Sequence, residues 1–108
     1  MSHKLNPLTR SKIQKARALM QHGQSAKAKS LLLQICNTDR SDPGAWYMLG
    51  VLNQQMGALE EAAAAYSRTI ALRPDHADAH YFLGNTQLAL NRLDEALISF
   101  AHAVRANP

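Results

Sequence analysis

Apolar and polar positions along this chain repeat at an interval of 34 residues. Laying residues 43–74 over residues 77–108 brings Ala45 onto Ala79, Tyr47 onto Tyr81, Leu49 onto Leu83 and Gly50 onto Gly84. Further along, Leu59 meets Leu93, Glu61 meets Glu95, Ala62 meets Ala96 and Pro74 meets Pro108. Self-similarity at a fixed period of this size marks a solenoid, whose single unit cannot bury its own apolar face. A degenerate copy lies upstream, with Ala16 under Gly50, Gly23 under Gly57, Ala28 under Ala62 and Leu32 under Tyr66. Three units are about the minimum for such a stack. The expected organisation is a lead-in over 1–8, a capping unit over 9–42, and two regular units over 43–76 and 77–108.

Six helices follow, over about 8–21, 25–37, 43–56, 59–72, 77–90 and 93–106. Asn6-Pro7 and Asp42-Pro43 each pair a capping side chain with proline at the first helical position. Glu60, Glu61, Asp94 and Glu95 stand in first turns, where a carboxylate favours the helix dipole. Gly23 and Gly57 fall where the chain needs a left-handed residue after a helix, and Asn91 takes that place in the last unit. Pro74 forces a break. No strand pattern competes.

The second unit reads Trp46, Leu49-Gly50, Ala62, Tyr66 and Pro74, and the third His80, Leu83-Gly84, Ala96, Phe100 and Pro108. This pattern resembles the tetratricopeptide repeat (TPR). Asn53 and Gln87 stand where that family prefers a large aromatic, Thr69 where it often has alanine, and His80 where it has tryptophan. The resemblance covers nearly the whole chain. It implies an all-α fold, a right-handed α-solenoid of three stacked antiparallel helix pairs.

The two ends of the array differ. Lys12 and Lys15 occupy slots held one unit later by Trp46 and Leu49, and read as a polar cap on the first helix. The last helix carries Leu97, Ile98, Phe100, Ala101 and Val104 and is expected to leave an apolar face open. Each large apolar side chain left in water forgoes about 1.5–3 kcal/mol of burial. Two expectations follow: the chain is the start of a longer protein, the favoured reading, or Leu97, Phe100 and Val104 form a self-association face, giving a homodimer.

Composition narrows the class. A chain of 108 residues suits one domain with a modest core. The 46% hydrophobic and 6% aromatic content fits small-residue helix packing. No apolar run reaches the roughly 18 residues of a membrane span, and MSHKLNPLTRSK is followed by no apolar core of a signal peptide. Cys36 stands alone and cannot form an internal disulfide, so a cytoplasmic setting is expected. The net charge of +4 comes from residues 1–40, which hold eight basic residues against Asp39. These could steer an acidic partner, but they also suit a solvated cap helix. No aromatic interleaves the lysines, so nucleic acid is not an expected partner.

In the family, ligands lie in a concave groove lined by the first helix of each pair. Carried over by slot, the resemblance implies Arg10, Ile13, Arg17 and Gln21 from the first unit. The second unit offers Tyr47, Val51, Gln54 and Gln55, and the third Asp78, Tyr81, Asn85 and Leu88. Tyr47 and Tyr81 would stand one repeat apart as paired anchors. The carboxylate clamp of chaperone-binding relatives is not matched: its slots hold Ile13, Arg17, Met48, Asp78 and Phe82. His76 and His80 are four apart, but one falls in a turn and the other in a core slot, so no metal site is expected. No catalytic constellation or cofactor motif stands out. The expected function is a non-catalytic protein–protein interaction module that binds a peptide or partner segment. The alternatives are the N-terminal array of a glycosyltransferase- or sulfotransferase-like enzyme, and a homo-oligomeric scaffold.

Overall fold

The computed structural model describes residues 6–108. The first five residues of the expected lead-in, and with them Lys4, lie outside the described residues. Six α-helices follow in chain order: α1 (Pro7–Gln21), α2 (Ser25–Thr38), α3 (Pro43–Gln55), α4 (Leu59–Leu72), α5 (Ala77–Ala89) and α6 (Leu93–Ala106). Helices α1 and α2, α3 and α4, and α5 and α6 pack as successive pairs. Between pairs, α2 meets α3 and α4 meets α5, so the pairs stack in chain order as a helical solenoid.

Local chemistry sets the ends. The Leu8 N–H donates to Asn6 Oδ1 at 2.8 Å, and the Gly44 and Ala45 N–H groups donate to the Asp42 carboxylate at 3.3 and 3.1 Å. Both caps precede proline, whose missing N–H is one that the first turn leaves unpaired anyway. Gly23, Gly57 and Asn91 have φ of 72°, 79° and 61°. Each turns the chain back after the first helix of a pair, in a conformation that most side chains resist. One cap escaped the sequence pattern. His76 precedes α5, and its Nδ1 accepts the Ala79 N–H at 3.1 Å.

The core fills the spaces between helices in two clusters. The first holds Ala28, Leu32, Ile35, Cys36, Leu49 and Leu52. The second is built on Ala62, Tyr66 and Leu83, with Tyr47, Val51 and Phe82 packed against it. In both regular units a glycine on the first helix admits an aromatic from the second. A Cβ on Gly50 would lie 2.6 Å from the Tyr66 ring, and one on Gly84 would lie 2.7 Å from the Phe100 ring. The first unit balances volume the other way, with Ala16 opposite the smaller Leu32, both fully buried. Cys36 is buried, and burial pushes its thiol up to about 12, which leaves it protonated and inert. Lys29 reaches Glu61 at 3.1 Å and Arg92 reaches Glu60, tying neighbouring units at the surface.

Phe100 corrects an expectation. It is half-buried over Gly84 and belongs to the packing of α5 on α6, not to the open face. Leu97 and Val104 do stand open, at 70% and 65% exposure, and Leu93 and Ile98 beside them at 58% and 59%.

Candidate binding site

The first helices of the three pairs line a cleft of about 390 Å³. Arg17, Met20 and Gln21 come from α1, Tyr47, Met48, Val51 and Gln55 from α3, and Phe82 from α5. On α3 these positions share a face because they recur at helical spacing. The floor is apolar: two methionines, a valine and two rings. Methionine is flexible and polarizable, so a floor of this kind adapts to the shape pressed on it. Arg17, Gln21 and Gln55 are exposed and supply a charge and two amides at the edge.

The aromatic packing beneath the cleft is continuous. The Tyr47 ring lies 6.0 Å from Tyr66, 4.8 Å from His76 and 6.2 Å from Phe82. Phe82 in turn lies 6.2 Å from Tyr66 and 5.4 Å from Tyr81. The Tyr66 hydroxyl donates to Gln54 Oε1 at 2.7 Å. Burial, and then the nearby Tyr47, raise the Tyr66 pKa, so the hydroxyl stays a donor. Burial followed by the Asp78 charge raises Tyr47 as well.

Of the residues expected from the sequence, Arg17, Tyr47 and Val51 line this cleft, together with Gln21 and Gln55. Arg10, Ile13, Gln54, Asp78, Tyr81 and Asn85 are placed elsewhere. Ile13 is only 8% exposed and packs into the first core cluster. Gln54 is drawn aside by the Tyr66 hydroxyl. Asp78 and Tyr81 line a smaller cleft of about 210 Å³ between α5 and the end of α6. The two tyrosines therefore do not form one platform; Phe82 stands between them. Arg10 is exposed and Asn85 half-buried, and neither lines the α1–α3–α5 cleft. Sequence slots gave no groove role to Met20, and Met48 and Phe82 drew notice only as positions where a carboxylate clamp was missing. Their apolar character was the available signal.

His76 caps α5, and His80 is buried beside the turn that precedes it. The His80 Nε2 lies 2.8 Å from the Pro74 carbonyl oxygen, and its ring lies 5.1 Å from that of His102. Among the described residues, no group of three or more His, Cys, Asp or Glu is placed to hold a metal ion. No helix among them is long and apolar enough to cross a membrane.

A family model described as tetratricopeptide repeat matches residues 13–69 and 47–108. The chain belongs to the tetratricopeptide repeat family. It is 32% identical over 83 residues to Protein FlbA of Caulobacter vibrioides, an alignment that spans 77% of this chain and 14% of that protein. Among solved structures, MamA superposes with a TM-score of 0.89 at 25% identity, over 93% of this chain and 58% of that one. The Yersinia enterocolitica type III secretion chaperone SycD, in complex with a peptide of the translocator YopD, gives 0.90 at 19% identity over 95% of this chain and 79% of that one. The second TPR of Spaghetti (RPAP3), bound to an HSP90 peptide, gives 0.87 at 16% identity over 92% of each chain. The last two likenesses are of fold. This TPR chain spans about one seventh of FlbA's length and under two thirds of MamA's.

Proposed function

We propose that this TPR array is a non-catalytic protein-interaction module that holds a partner peptide in the α1–α3–α5 cleft. The observation that carries this reading is the cleft itself: an apolar floor of Met20, Met48, Val51 and Phe82 with Arg17 at its edge. Apolar burial supplies the affinity, and the Arg17 guanidinium orients an acidic group of the ligand. Two fold relatives, SycD and RPAP3, were solved with peptides bound, which supports a peptide as the kind of ligand. The test is selection of 12-residue peptides from a random library on the wild-type protein, followed by titration against Arg17→Glu and Val51→Gln. Binding tenfold or more weaker, about 1.4 kcal/mol, is expected for each. Peptides that bind both variants as well as the wild type would remove the reading.

A second reading rests on a separate observation. The row Leu93, Leu97 and Val104 on α6 is 58–70% exposed, a concentration of apolar surface that marks association faces. Self-association through this row is the alternative role, and light scattering of wild type and Leu97→Glu across concentration tests it. A concentration-dependent dimer lost in the variant supports it; two monomers sink it.

A further inference from the structure

The opposite flank of α3 holds a different site. Trp46, Leu49 and Asn53 lie half a helical turn away from Met48, Val51 and Gln55. They border a cleft of about 440 Å³ whose other walls are Leu33 of α2 and Ala64 and Ala65 of α4. Asn53 is only 2% exposed, and its Oδ1 has no hydrogen-bond partner. A buried acceptor left unpaired costs about 1–3 kcal/mol, so it calls for an explanation.

The three units answer the same need in different ways. In the first, the slots of Asn53 and Ala65 hold Leu19 and Leu31, and no polar group is present. In the third, they hold Gln87 and Ser99, and the Ser99 hydroxyl donates to Gln87 Oε1 at 2.6 Å. The second unit keeps the amide and lacks the donor. It is also short of volume there, with Ala64 where the third unit has Ile98. An unmatched acceptor and an adjoining void therefore coincide in one unit of three.

The surroundings define what would fit. Leu33, Leu49, the Trp46 ring and two alanines are apolar. The Trp46 indole N–H is already used, donating to the Arg40 carbonyl at 3.0 Å. Arg40 and Arg68 stand at the rim, with the Arg68 guanidinium 5.4 Å from the centre of the Trp46 ring. Glu61 also borders the cleft, and Lys29 holds it at 3.1 Å. The site thus asks for a flat apolar group with one donor and no acceptor, carried on a chain with negative charge. An indole has that inventory. A tyrosine hydroxyl would bring acceptor lone pairs of its own, and a lysine ammonium would meet two guanidiniums.

We propose that this cleft takes a tryptophan side chain from an acidic peptide segment of a partner protein. Its indole N–H donates to Asn53 Oδ1, and the flanking carboxylates lie against Arg40 and Arg68. This site is separate from the α1–α3–α5 cleft and stands whether or not that cleft binds a peptide.

The experiment follows amide, indole and side-chain N–H resonances of the isotope-labelled protein during titration. The probes are indole alone, a blocked Glu-Glu-Trp-Glu-Glu peptide, its phenylalanine counterpart, and its glutamine-flanked counterpart. Shifts centred on the Trp46 indole, the Asn53 amide and Arg68 are expected. The phenylalanine peptide should bind at least fivefold more weakly, and the glutamine-flanked one at least threefold more weakly. Asn53→Leu, which copies the first unit, should lose the tryptophan preference while folding at least as stably as the wild type. Ala65→Ser supplies an internal donor as in the third unit and should weaken tryptophan binding without disturbing the fold, so it carries the test if Asn53→Leu does not fold. Arg68→Glu should weaken the acidic peptide and spare indole. Shifts confined to Tyr47, Met48 and Val51 would overturn the proposal, as would equal binding of the tryptophan and phenylalanine peptides. Equal binding of the acidic and glutamine-flanked peptides would overturn its charged half. Unchanged binding by Ala65→Ser would leave Asn53 as a water-bonded irregularity and end the assignment.

Discussion

Helices α4 and α6 are the same element met twice, 34 residues apart, and they lie in opposite surroundings. On α4, Ala63 is 8% exposed and Ile70 is half-buried, because α5 packs across them. On α6 the same slots hold Leu97 and Val104, at 70% and 65% exposure. At the first of these slots the residue has changed with the surroundings in an unexpected direction. Where a neighbour presses, the side chain has shrunk to alanine. Where none does, leucine stands instead. A face merely solvated would favour polar groups there. The repeat period fixes which slots face outward from a pair, while at the slot shared by residues 63 and 97 the side chain follows how closely a neighbour sits, alanine under α5 and leucine in the open.

Loss of Tyr66 or of Phe100 should cost most, and by different amounts. Tyr66 is fully buried between α3 and its own helix, so Tyr66→Ala should cost about 3–5 kcal/mol in urea unfolding. Its partner in register, Phe100, packs over Gly84 but is only half-buried, and Phe100→Ala should lose less, about 3 kcal/mol. Leu97→Glu, on the open face three residues away, should stay within about 0.5 kcal/mol in a monomeric sample. If Leu97→Glu unfolded a monomer as readily as Phe100→Ala did, the open and packed faces of α6 would not be distinct.

That contrast also marks what could be read from the chain before its structure. Helix ends were legible to within about a residue, because each carries its own chemistry: Asn6-Pro7, Asp42-Pro43, Gly23, Gly57 and Asn91 all act locally. Side-chain direction was less legible, because it depends on what lies across the interface. Phe100 falls on the open side of the α6 pattern by spacing, yet the missing Cβ of Gly84 draws its ring inward. The signal existed in duplicate, since Gly50 precedes Tyr66 by the same sixteen residues that separate Gly84 from Phe100. The slot of Gln54 points to the groove, but a hydroxyl on another helix claims it. Asn53 was visible as a departure from the family pattern. Its unpaired oxygen was not, because that depends on residue 65 being alanine where the next unit has Ser99.

A smaller effect tests how firmly each aromatic is held. A Cβ at Gly50 would stand 2.6 Å from a Tyr66 ring enclosed on every side. Overpacking of this kind costs about 1–3 kcal/mol, partly offset by the roughly 1 kcal/mol that alanine gains over glycine in a helix. Gly50→Ala should therefore destabilise. Gly84→Ala makes an equally close approach, 2.7 Å, to Phe100, but among the described residues α6 packs chiefly on α5 and its far side is open. The ring can give way, and the loss should be smaller or absent. Thermal melts of the two variants read the difference directly, and equal losses would show that α6 is held as rigidly as α4.

The smallest effect concerns the helix that makes α4 and α6 differ. His76 caps α5 through Nδ1, which can accept the Ala79 N–H only while that nitrogen is unprotonated. Burial, and then the charge of Arg73, lower the His76 pKa below its ordinary 6.5; Asp78 and Asp75 oppose this. The sign follows. Above pH 6.5 the ring is neutral in both folded and unfolded chains, and the cap is intact. As pH falls below 6.5 the unfolded chain takes up the proton first, so stability declines until the folded-state pKa is passed. His76→Asn keeps a side-chain acceptor at the cap and removes the titration. The wild-type Tm should drop between pH 7.5 and 5.5 by more than that of His76→Asn, with the extra loss seen as weakened α5 cover over Ala63 and Ile70. The exposed row on α6 has no such cover to lose, so Leu97 and Val104 should report no change over the same interval. Equal Tm losses in the two proteins would show that the His76 cap contributes nothing to holding α5 in place.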